Sequence, residues 1–225
     1  MIKRTLLLIG FLLNSIFIIG QNSKIDIGIE GGISYISLRG NNLVEYMNDD
    51  LSYGFLSSLN ISYNFSEYIS LKTSIGYERK GTSVNDLAFL DEFGSTICNE
   101  ECKYKLNLDY LTIPLFIQFT YGNKINLFAN TGPYIGFLLK GKEVINGAPN
   151  QTSDIENIVT NNFKKTDFGI SFGIGAKYNI KEKFFISLEI RDNLGLINIS
   201  SVPVVNDDTI KTNSIIGILG IGYKI

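Results

Sequence analysis

The chain has 225 residues, 20 Lys and Arg against 22 Asp and Glu, and a formal net charge of −2. One domain can account for this length, and the charge balance leaves no basic footprint for nucleic acid. Histidine and tryptophan are absent. The missing imidazole removes Ser-His and Cys-His nucleophile pairs and the commonest nitrogen ligand for metals, so no enzyme and no cofactor is expected.

The N-terminus, MIKRTLLLIGFLLNSIFIIG, has the parts of a secretory signal peptide. Lys3 and Arg4 form the positive region, Thr5 to Gly20 the apolar region, and small Gly20 precedes the cleavage point before Gln21. A spanning helix needs about 20 apolar residues, and Asn14 interrupts this run. The expected organisation is a signal peptide over 1–20 and one exported domain over 21–225, with no cysteine at the cleavage point for lipid attachment.

Period-2 alternation then fills the chain. IDIGIEGGISYISL sets Ile25, Ile27, Ile29, Ile33 and Tyr35 against Asp26, Gly28, Glu30, Gly32 and Ser34. YGFLSSLNISYNF follows with Tyr53, Phe55, Leu59, Ile61, Tyr63 and Phe65 on one parity, and ISLKTSIGYERK with Ile69, Leu71, Ile75 and Tyr77. Leu115, Ile117, Phe119 and Tyr121 lead into the turn GNK, and Ile125, Leu127 and Ala129 lead out of it. DFGISFGIGAKY gives Phe168, Ile170, Phe172, Ile174 and Tyr178, the next run Phe184, Ile186, Leu188 and Ile190, and the last Ile215, Leu219, Ile221, Tyr223 and Ile225.

Eight alternating runs, neighbours in sequence, predict an all-β, eight-stranded antiparallel up-and-down barrel. Short links near 66–68, 122–124 and 179–183 alternate strictly with long polar ones near 39–52, 81–103, 141–165 and 195–212, so every long loop leaves one end. In an outer-membrane barrel that end is extracellular.

Alternation alone does not say which face points inward, because a soluble lipocalin-like carrier would turn the same apolar face toward a ligand. The tyrosines discriminate. Tyr35, Tyr53, Tyr63, Tyr77, Tyr121, Tyr178 and Tyr223 all take the apolar parity near strand ends, which is the placement of the two aromatic girdles of a membrane barrel. The opposite parity carries Lys72, Glu78, Lys80, Asp167, Lys177, Glu189 and Arg191, charges of both signs suited to a packed lumen where each must be paired. Gly169, Gly173 and Gly175 are expected to leave room for side chains from across the lumen. The transmembrane reading makes outer-membrane lipid the first partner.

LDYLTIPLFIQF followed by NTGPYIGFLL, with DFGISFGIGAKY and LEIRDNLGLINI later, resembles the porin-like outer-membrane β-barrel family of Bacteroidetes that includes PorT-like proteins. The resemblance implies an eight-stranded barrel in the cell outer membrane and a partner in a secretion or envelope assembly. It implies no reaction. Pro114 and Pro133 lack a ladder donor and are expected to mark bulges.

Cys98 and Cys102, in ICNEEC, read as a disulfide pinning a loop in an oxidising compartment. Asn-Asp-Asp at 48–50 and 206–208 reads as solvated loop tip ahead of calcium ligation. Ser153 to Glu156 has the spacing of a capping box and predicts a short helix. The resulting expectation is a non-enzymatic outer-membrane anchor or interaction module with long extracellular loops. The alternatives are a small-solute channel and a soluble lipocalin-like binding barrel.

Overall fold

The computed structural model describes residues 24–40, 51–85, 102–146, 154–180, 183–204 and 208–225. The signal peptide, Cys98 and most of the two Asn-Asp-Asp tripeptides lie outside these residues. The strands are β1 (Ile25–Arg39), β2 (Tyr53–Asn64), β3 (Ile69–Val84), β4 (Lys103–Gly122), β5 (Ile125–Asn146), β6 (Ile155–Ile158), β7 (Thr166–Ile180), β8 (Phe184–Gly195) and β9 (Lys211–Lys224). Every pairing is antiparallel, in the order β4-β3-β2-β1-β9-β8-β7-β5, and β4 also pairs with β5. That last ladder closes the sheet. Eight strands form the barrel, and β6 is an extra edge strand on the upper part of β5.

The two faces have opposite chemistry. Ile33 (71% exposed), Ile174 (66%) and Leu188 (63%) point outward, while Glu78, Lys80 and Asp167 are fully buried inside. A soluble carrier would need the reverse, so the lipocalin-like alternative fails on side-chain direction. Along β4 the outward apolar run from Leu111 to Tyr121 rises roughly 25–30 Å at the usual rise and barrel tilt, about the height of a lipid-facing band.

Several local expectations need correction. Two strands run further than the long polar links predicted, β3 to Val84 and β5 to Asn146. The capping-box stretch forms strand β6, followed by a 3-10 turn over Thr160–Asn162, because Ile155–Ile158 can pair with Lys142–Ile145 of β5. Neither proline marks a bulge. Pro114 opposes Tyr134 and Pro133 opposes Ile170 without a shift; the one irregularity between β4 and β5 lies at Asp109/Tyr110. Pro114 offers no amide to β3, but its carbonyl accepts a hydrogen bond from Thr73 Oγ1 at 2.7 Å. A strand tolerates the residue when a side chain takes up what the ladder leaves open.

The lumenal glycines also serve a nearer neighbour than expected. A β-carbon on Gly169 would lie 2.5 Å from the Tyr134 ring, and one on Gly175 2.5 Å from the Phe128 ring. Tyr134 and Phe128 are the directly paired residues on β5. Each aromatic ring therefore lies over the glycine of the adjacent strand. At the GNK turn, Gly122 takes a φ of +125°, a conformation that disfavours a side chain.

Candidate functional site

The interior is built in tiers from the inward parity of all eight barrel strands. At the short-turn end, Asp26 accepts hydrogen bonds from Lys177 Nζ at 3.0 Å and Asn64 Nδ2 at 3.2 Å. The Lys177 ammonium also sits 4.4 Å from the centre of the Phe185 ring.

In the middle tier, Lys72 bridges Glu30 (2.5 Å) and Glu189 (3.3 Å), while Arg191 reaches Glu189 at 2.8 Å and Glu30 at 3.6 Å. Two carboxylates and two cations from three strands thus form a closed square. Asn130 and Ser58 donate further hydrogen bonds to it, and the Arg191 guanidinium lies 4.8 Å from the Phe116 ring centre. In the upper tier, Lys80 donates to Asp167 and Tyr134, both at 2.9 Å, and Thr212 donates to Asp167 at 2.7 Å. Glu78 accepts from Asn193 and Ser214.

Above these tiers the long-loop end closes over the lumen. Leu38, Tyr104, Leu106, Leu108, Tyr110, Ile145, Val159 and Ile199 form a buried apolar cluster, packed by Ile155, Phe163 and Ile210. The β8–β9 link is held down on the 3-10 segment: Phe163 bridges to Ser200, and Lys164 N–H donates to the Ile199 carbonyl at 2.7 Å. Tyr104 donates to Glu143 at 2.9 Å, and burial together with that carboxylate pushes its phenol above the ordinary tyrosine range. Cys102 is buried in this cluster and disulfide-bonded.

The expected lumen charges, Lys72, Glu78, Lys80, Asp167, Lys177, Glu189 and Arg191, are therefore brought into one interior. Asp26 and Glu30, which the first run sets on the polar parity though outside the expected charge cluster, join them there. Sequence reasoning missed Tyr134 and Thr212, because a tyrosine on the polar parity carries no signal of its own.

The outward tyrosines fall into two sets. Tyr63, Tyr121, Tyr178 and Tyr223 lie at the short-turn end, with Lys124 and Lys183 each 5.8 Å from the Tyr178 and Tyr223 ring centres. Tyr35, Tyr53 and Tyr77 lie toward the other end. There Asp109 accepts Tyr77 OH at 2.5 Å and a forked pair from Arg79 at 2.7 and 3.2 Å. This outward ion pair marks the upper edge of the apolar band on β3 and β4.

Crowding in the middle tier sets a first prediction. A β-carbon on Gly173 would lie 2.5 Å from both Asn130 Oδ1 and Glu189 Oε1. Gly173→Ala should therefore destabilise the barrel by about 1–3 kcal/mol, as overpacking of a filled interior does. A shifted urea midpoint in reconstituted protein would show it; an unchanged midpoint would mean the tier has slack.

A sequence profile described as "Outer membrane protein beta-barrel domain" matches residues 19–201. No curated protein matches the chain. Among solved structures, the chain is similar to the attachment invasion locus protein Ail of Yersinia pestis (15% identity, 90% of this chain and 99% of that one, TM-score 0.44). It is also similar to the N-terminal β-barrel domain of OprF from Pseudomonas aeruginosa (12%, 91% and 100%, 0.46) and to Neisserial surface protein A (12%, 92% and 100%, 0.49).

Proposed function

We propose that this chain, which belongs to the outer membrane protein beta-barrel domain family, is a non-enzymatic and non-conducting anchor in the outer membrane that presents its long-loop end to other envelope components. The observation that carries this reading is the interior: a charge square spanning the lumen, with an apolar cluster above it. An eight-stranded barrel is just wide enough for its own side chains, and here those side chains are large and held by one another. The short turns would face the periplasm and the cap the outside.

The finer assignment follows the resemblance of LDYLTIPLFIQF and NTGPYIGFLL to PorT-like proteins of Bacteroidetes. It favours a partner belonging to a secretion or envelope assembly. Export would use residues 1–20 as a signal peptide, leaving Gln21 as the mature N-terminus, and a Cys98–Cys102 disulfide would pin the β3–β4 loop.

The test is a single preparation, extracted from its native outer membrane in mild detergent. It should begin at Gln21, carry a stoichiometric protein partner, and give no steady conductance after transfer to a planar bilayer. A reproducible unit conductance would overturn the non-conducting reading and favour a small-solute channel gated by rearrangement of Glu189 and Arg191. A barrel recovered alone would overturn the assembly role and leave a free-standing surface protein.

A further inference from the structure

Just above the apolar band, one flank of the barrel carries a concentration of lysines. Lys105 on β4, Lys140 and Lys142 on β5, and Lys164 and Lys165 before β7 gather there through the register. Lys142 opposes Asn107 and Lys140 opposes Asp109, which puts Lys105 diagonally beside Lys142, roughly 7–8 Å away by strand geometry. The Lys165 carbonyl accepts the Leu138 N–H at 2.8 Å, which brings Lys164 and Lys165 against the same stretch of β5. The irregularity at Asp109/Tyr110 leaves Leu139 out of the β4–β5 pairing, and both Leu139 and Lys140 are exposed.

The neighbouring acids neutralise one lysine of this patch: Glu156 pairs with Lys142, while Asp109 is held by Arg79 and Tyr77 and Glu143 by Tyr104. Among the described residues no carboxylate forms a salt bridge with Lys105, Lys140, Lys164 or Lys165. On the opposite flank, Arg39 and Lys211 face each other in register at the top of β1 and β9, and Asp192 of β8 lies within electrostatic reach of Arg39. The lysine patch is therefore local to β4, β5 and β7. It is continuous below with exposed Phe137, Leu139 and Phe168.

We infer that this flank is a binding surface for phosphate-bearing lipid headgroups of the outer leaflet, with the acyl chains lying on Phe137, Leu139 and Phe168 and the lysines reaching up to the phosphates. The inference rests on the outer-membrane reading above. Position is the argument for a lipid occupant: a soluble anion has no use for the apolar surface directly below the charges, whereas an anionic lipid matches both halves. Lysine stems cover apolar surface while their ammonium groups rise to the headgroup level, and each lysine at an anionic surface contributes a several-fold preference.

The experiment uses the mature chain in phosphatidylcholine vesicles doped with spin-labelled phosphatidic acid, reading the fraction of label held at the protein surface. Wild type should select phosphatidic acid over phosphatidylcholine. The combined variant Lys105→Gln, Lys140→Gln, Lys164→Gln, Lys165→Gln should lose about threefold or more of that preference. So should wild type in about 1 M salt, where the screening length falls to about 3 Å, a readout that holds even if the variant folds poorly.

A control variant removes the turn-end charges, Lys24→Gln, Lys124→Gln, Lys183→Gln, and should keep most of the preference. Equal loss in the control, no preference in wild type, or displacement of the lipid by inorganic phosphate would overturn the inference. Failure of wild type to insert, seen as no heat-dependent shift on an SDS gel, would instead overturn the membrane reading itself.

Discussion

Lys80→Met should destabilise the folded barrel by about 3–5 kcal/mol, the usual consequence of removing one partner from a buried ion pair. Lys80 and Asp167 have no exposed side-chain surface at all, and they meet at 2.9 Å. With the ammonium gone, the Asp167 carboxylate keeps only hydroxyl donors from Tyr134 and Thr212, in a space sealed from above by the apolar cap. Methionine matches the length of the lysine stem, so lost packing is a minor part of the effect.

Adding Asp167→Asn to Lys80→Met should recover a large part of the loss, because an amide tolerates what an unpaired carboxylate does not. The chain contains no tryptophan, so the measurement is urea unfolding in vesicles followed by circular dichroism. A single variant as stable as wild type would mean that water reaches this tier. The cap would then not close the lumen.

Ile174→Arg should cost about 2–4 kcal/mol in a bilayer, the penalty for a cation near the middle of the lipid-facing band. Ile174 is 66% exposed on β7, with Phe172 outward on one side and Tyr178 nearer the turn. On a water-facing wall, replacing an exposed isoleucine by arginine is close to neutral. The size of the effect therefore reports what the wall touches. Tyr121→Arg serves as the internal control: it lies at the turn end, where the same charge costs about 0–1 kcal/mol. Equal, small effects at both positions would contradict a lipid-facing band.

The lumen site was legible in part. Parity put Lys72, Glu78, Lys80, Asp167, Lys177, Glu189 and Arg191 on one face, since side chains alternate across a strand whatever its partners are, and the tyrosines on the other parity identified that face as the inward one. Parity says nothing about which of them meet. Lys72 and Glu189 are 117 residues apart, and Lys177 and Asp26 are 151 apart. Those encounters follow from how far each strand is staggered when the sheet closes. The glycines show the same limit: Gly169 and Gly175 were visible as small inward residues, but only the β5–β7 register identifies Tyr134 and Phe128 as the rings that lie over them.

By itself, then, the sequence determined the strand number, the antiparallel succession, the outward direction of the apolar face and the end at which the long links emerge. All of these rest on period-2 patterning, turn spacing and the placement of tyrosines near strand ends, which are local. The tertiary structure decided the charge pairing inside, the apolar cap and the lysine flank. The cap draws Leu38, Tyr104, Ile145, Val159 and Ile199 from five separate segments, none of which shows a core pattern alone. Burial there, like pairing in the lumen, is a property of the closed barrel, because the ends of distant strands meet only when the first strand, β1, pairs with the last, β9.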